Sequence, residues 1–78
     1  MKPINVKVEL EINNLRVYVN NVIHLSFNIN NFVGVQSYFV GRKHFIDFHI
    51  KDTVIECEYT RKDLWEKILN ELKKENYI

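Results

Sequence analysis

Val17 to Gly41 is a run of 25 residues without a formally charged side chain, while the 11 Lys and Arg and the 10 Asp and Glu all lie outside it. Such a run is either a membrane span or a set of strands. Asn20, Asn21, Asn28, Asn30 and Asn31, with His24, Ser26, Gln36 and Ser37, make it too polar for about 20 residues of hydrocarbon. Its apolar residues come instead in short Val-, Ile- and Phe-rich runs bounded by asparagine doublets, the pattern of strands joined by tight turns. Solvent-facing strands normally carry Lys or Glu, which prevent edge-to-edge association. Lacking these, residues 17 to 41 are where a partner is expected to bind.

The flanking segments supply the register. From Ile4 to Ile12 every even position is apolar and every odd one polar, the period of a strand with one buried face. Asn13-Asn14 then reads as a two-residue hairpin turn that pairs Ile12 with Leu15, Leu10 with Val17 and Val8 with Val19. At Asn20-Asn21 a two-residue loop would match Val19 with Val22 and turn His24 and Ser26 inward. A three-residue loop or a bulge near Val22, keeping Ile23, Leu25, Phe27 and Ile29 inside, is therefore expected.

Asn30-Asn31 marks a third turn, and Gly34 marks a bulge or kink in the strand that follows. A connection at Val40-Gly41-Arg42-Lys43 aligns Val33, Val35, Ser37 and Phe39 with the face that carries His44, Ile46, Phe48 and Ile50. Beyond Lys51-Asp52, Ile50 meets Thr53, Phe48 meets Ile55, Ile46 meets Cys57 and His44 meets Tyr59. Thr60 to Asp63 fits a helix capping box. Leu64, Trp65, Ile68, Leu69 and Leu72 then form one apolar stripe on a helix over residues 61 to 75. That stripe is expected to cover Ile46, Phe48, Ile55 and Cys57, with Trp65 in the core. The fold class is α+β: an antiparallel β-meander of about six strands followed by one C-terminal amphipathic helix packed on the sheet.

Seventy-eight residues make one small domain over residues 1 to 78, because single cores usually span about 50 to 200 residues. A 46% hydrophobic fraction with a net charge of +1 separates the chain from disordered sequences. It also removes any global attraction to phosphates or anionic lipid. The one cysteine, Cys57, has no internal disulfide partner, and the opening residues Met1 to Lys7 lack the apolar run of a signal peptide. Both point to a reducing cytoplasm. Asn, Ile, Lys, Phe and Tyr supply 36 of the 78 residues and Ala is absent, which is the output of A/T-rich codons. A low-GC bacterium, its phage or a mobile element is the expected source.

Catalytic signals are weak. Two glycines cannot build a phosphate-cradling loop, and one cysteine with three scattered histidines does not make a structural zinc site. Asp47 opposite Glu56, Glu58 beside Phe45, and His49 share an outward face, but nothing in the sequence desolvates them, as proton transfer or metal capture would need. Cys57 and His44 both point inward, where a thiol is inert. No enzyme activity, cofactor or metal is expected.

In topology alone, strands ending in a C-terminal helix resemble pleckstrin-homology-like domains, a likeness that carries no motif and implies no ligand. The expected function is that of a small non-catalytic interaction protein. It would bind a second copy of itself or another protein through the uncharged window, one version being a phage or mobile-element protein acting on a host factor. Tyr18, Val22, His24, Phe32 and Tyr38 are the expected contact residues. The alternative is nucleic-acid binding through outward Arg16, Tyr18, His24, Tyr38 and Phe45, where rings stack on bases and cations meet phosphates.

Overall fold

Among the described residues, alternation of apolar and polar positions produces six antiparallel strands: β1 (Val6–Glu11), β2 (Asn14–Val19), β3 (Val22–Asn28), β4 (Phe32–Val40), β5 (Lys43–Ile50) and β6 (Thr53–Tyr59). One helix, α1 (Lys62–Lys74), follows. The computed structural model describes residues 3–78, so the part of the N-terminal reading that rests on Met1 and Lys2 lies outside it.

The α+β class and the chain order are as expected, but the meander divides in two. One sheet has the order β1-β2-β3 and the other β4-β5-β6. A three-residue 3₁₀ turn, Ile29–Asn31, separates them. Asn28 Oδ1 accepts the Asn30 N–H at 2.9 Å, and the Asn31 carbonyl accepts the Lys51 N–H at 2.7 Å. The third asparagine doublet is thus a corner between sheets rather than a hairpin turn. One flat six-stranded sheet with a single helix would leave much of its apolar face wet, whereas two sheets packed on one another bury both inner faces.

Leu15, Val17, Val8 and Phe27 of the first sheet share the core with Ile46, Phe48 and Tyr59 of the second and with Ile68 and Leu72 of α1. Phe27 joins the layers, its ring centroid 5.9 Å from Phe48 and 5.4 Å from Phe32. The helix packs against β1 as well as β5 and β6, so its stripe covers more than the expected face. Trp65 is half-buried at the core margin and donates its indole N–H to the Phe45 carbonyl at 2.8 Å.

Register follows expectation in the second sheet except at the start of β4, where Ile50 meets Phe32 and not Val33, and departs from it in the first. Every β5–β6 pair forms as read, including Phe48 with Ile55 and Asp47 with Glu56. Phe39 meets His44 and Val35 meets Phe48 across β4–β5, and a bulge falls between Phe32 and Gly34. In the first hairpin Leu10 meets Leu15 and Val8 meets Val17, which moves the turn to Ile12-Asn13. A shift of two residues in pairing keeps the same faces together, so the apolar pattern cannot choose between the two registers. The one adopted extends the pairing to Asn5, whose carbonyl accepts from Asn20 N–H at 2.8 Å and whose N–H donates to Asn20 Oδ1 at 2.9 Å.

At the second hairpin the rejected two-residue turn does form. Asn20 and Asn21 adopt φ 51° and 67°, and Val19 meets Val22. The expected bulge follows it, at His24 rather than at Val22, and restores Leu25 opposite Val17 and Phe27 opposite Leu15. The cost falls on Ile23, which is exposed rather than inside.

The expected capping box is absent because the N-cap position falls on Arg61 and not Thr60. Asp63 instead bonds the Arg61 guanidinium at 2.6 Å and accepts the Leu64 N–H at 3.0 Å. The hydrogen bonds from Arg61 hold the Asp63 carboxyl below its ordinary pKa. At the far end Asn76, at φ 64°, donates to the Lys73 carbonyl while Tyr77 N–H reaches the Leu72 carbonyl. This left-handed cap turns Tyr77 back onto Phe32, with ring centroids 6.4 Å apart.

Ile12, 89% exposed, sits at φ 59°, a left-handed conformation that crowds a β-branched side chain. Ile12→Asn relieves that crowding without removing a core contact. It should raise stability by about 1 kcal/mol, read from urea midpoints at constant slope.

Candidate protein-binding edges

Each three-stranded sheet has two edges, and charge is distributed unequally among the four. The β1 edge carries Lys7, Glu9 and Glu11, with Lys7 Nζ 3.0 Å from Glu9. The β6 edge carries Glu56 and Glu58, with Lys43 Nζ 3.9 Å from Glu58. Both are guarded in the usual way. β3 and β4 are the other two edges, each paired on one side only, and neither holds a Lys, Arg, Asp, Glu or Pro. The uncharged window thus supplies both unguarded margins, one from each sheet, with β2 paired on both sides by its neighbours.

The five expected contact residues do not form one patch. Tyr18 is on the central strand β2, opposite Lys7 and Ile23, within the mixed-charge outer face of the first sheet. Val22 opens β3 and is exposed. Phe32 is half-buried between Phe27 and Tyr77, so it serves mainly to join the sheets. Tyr38 stacks on Phe45 with centroids 4.9 Å apart and planes 15° from parallel. Desolvation, then the neighbouring Asp47 and Glu56 carboxylates, push the Tyr38 phenol above its ordinary pKa.

His24, the bulge residue, reaches across to β6. Its Nε2 lies 2.6 Å from the Tyr59 hydroxyl, with ring centroids 5.4 Å apart. Burial lowers the imidazole pKa and raises that of the Tyr59 phenol, so near neutral pH both groups are uncharged. In the tautomer protonated at Nδ1, Tyr59 O–H donates to Nε2.

Sequence reasoning missed three exposed residues of β4. Val33, Phe39 and Val40 are 73%, 66% and 65% exposed, although the first two fall on the side chosen as inward. The bulge at Val33 and the edge position of β4 leave them uncovered. The available signal was the absence of guarding charge on an edge strand.

Polar clusters elsewhere are sparse. Among the described residues no group of three or more His, Cys, Asp and Glu is placed to hold a metal ion. His44 lies between Phe39, at 6.0 Å, and Trp65, at 5.0 Å. Burial raises the pKa of the half-buried Cys57 thiol. A shallow cleft of about 310 Å³ is lined by Ile4, Asn5, Val6, Lys67, Asn70 and Glu71, with none of its walls from β3 or β4. No helix among the described residues is long and apolar enough to cross a membrane. Comparison with protein-family models, curated proteins and solved structures finds no match to the chain.

The His24 site gives a pH dependence of definite sign. An imidazole whose folded pKa is depressed binds fewer protons in the folded state, so its stabilising contribution is complete above the unfolded value of about 6.5 and is lost as pH falls below it. Urea midpoints should therefore fall between about pH 7.5 and about pH 5. His24→Gln, which retains a hydrogen-bonding group beside Tyr59, should give a shallower fall.

Proposed function

We propose that the chain is a small non-catalytic interaction protein that works by strand addition at its uncharged sheet margins, with a second copy or another protein as partner. One observation carries this: of four sheet edges, the two at the ends of charged segments are guarded, and the two within residues 17 to 41 are bare. A bare edge presents unpaired N–H and C=O groups that another strand can complete, with exposed side chains such as Val22, Val33 and Phe39 adding apolar contact. A reducing cytoplasm, with Cys57 as an unpaired thiol, suits this role.

Nucleic-acid binding draws less support. Arg16 is paired with Glu11 at 2.9 Å, and the Tyr38–Phe45 stack is flanked by Asp47, Glu56 and Glu58, which repel phosphate.

Ser26→Glu together with Ser37→Glu places one charge on each bare edge without touching a buried side chain. Association with itself or with a captured protein should weaken by about tenfold or more, with the melting temperature nearly unchanged. Binding by the native chain should respond little to added salt. Unchanged association in the doubly charged variant, or a steep loss of binding with salt, overturns strand addition.

A further inference from the structure

The two bare edges are not equivalent. β3 is interrupted by the extra residue at His24, which breaks its ladder in mid-strand, whereas β4 pairs without a break from Gly34 to Val40. Gly34 closes the bulge at Val33, but that bulge does not by itself require a glycine there. Its φ is not positive, and a Cβ built there would meet nothing within 4 Å. A glycine in mid-strand costs stability, so the empty space beside it calls for a separate reason.

Resting on the strand-addition reading, we infer that β4 pairs with β4 of a second copy, antiparallel about a two-fold axis at Gln36, so that two three-stranded sheets join into one of six strands. The register follows from backbone geometry. The two-residue turn Gly41-Arg42 is flanked by the pair Val40 and Lys43, which exchanges hydrogen bonds within the hairpin. Alternation then turns the amides of Tyr38 and Gln36 toward β5 and those of Val35, Ser37 and Phe39 to the open side.

With Gln36 on the axis, Val35 bonds to Ser37 of the second copy. Gly34 then lies opposite the copy's Tyr38 in a non-hydrogen-bonded pair, where side chains approach most closely. There the Tyr38 ring, stacked on Phe45 by one face, turns its other face to the space left by the missing Cβ, an aromatic-beside-glycine pairing that compensates for the weak residue. The same register brings exposed Val33 beside exposed Phe39.

Electrostatics permit the symmetry. Gln36 faces its own copy as a neutral amide that both donates and accepts. The nearest charge in that row, Asp47, is separated from its symmetry mate by three strand spacings, about 14 Å, beyond the about 8 Å screening length. One strand pair buries less than the about 1,600 Å² of a standard interface, so the dimer is reversible and dependent on concentration.

Sedimentation equilibrium of the purified chain across its soluble range should show mass rising from the 9.4 kDa of one chain toward twice that value. Gln36→Lys, which sets two ammonium groups face to face on the axis, should weaken the dimer about tenfold or more. Gly34→Val should weaken it too while leaving the thermal melt at low concentration unchanged or higher. In a Cys57→Ser background, Gln36→Cys should oxidise to a covalent dimer and Tyr18→Cys should not. A single chain at every concentration overturns self-pairing. Strand addition then stands only if the doubly charged Ser26→Glu, Ser37→Glu variant loses a protein that the native chain holds. A dimer insensitive to both Gln36→Lys and Gly34→Val, with no cross-link at residue 36, overturns β4 as its seat.

Discussion

Contact between the two sheets at Phe27 is the constraint on which the rest depends. Its ring meets Phe48 of the second sheet and Phe32 at the entry to β4, closing one core over Leu15, Val17, Ile46, Ile68 and Leu72. A domain of 78 residues has little apolar surface to spare, and a core shared by both sheets and the helix uses it more fully than one extended sheet would. Because β3 and β4 are joined through this packing rather than through a ladder, each is left with one unpaired side. The cohesion of the monomer and the openness of its margins therefore have the same origin.

Much of the second sheet was legible in the sequence. Both β5 and β6 alternate clearly, the Lys51-Asp52 connection is short, and a slip of one residue would have buried Asp47 and Glu56. Only one register satisfies all three conditions, and it is the one observed. β1 and β2 offered two registers that differ by two residues and share the same faces, so backbone bonds at Asn5 and Asn20 decided between them. At the next hairpin the preference of Asn20-Asn21 for a two-residue turn outweighed side-chain phase, and His24 absorbed the mismatch. The helix N-terminus was misplaced by one residue because Arg61 holds the carboxylate that a capping box would have used.

The candidate site was legible as a composition and not as a shape. Residues 17 to 41 stand out for lacking charge, but the rule that successive strands pair would have hidden both margins by joining β3 to β4. Their exposure depends on the corner at Ile29–Asn31, a tertiary event driven by burial of the sheet faces. Outward side chains on β4 were equally hard to assign, since the bulge at Val33 shifts the phase where the strand leaves the core.

The bulge at His24 in β3 bears on the size of the proposed assembly. A protomer with two equally receptive sides could accept a neighbour on each, and head-to-tail joining that fails to close yields an endless ribbon. Spoiling one side with a single surplus residue, tethered to Tyr59, leaves one straight side to engage. Under the proposed β4 pairing, growth would halt once that side is matched, giving a finite particle instead of a filament.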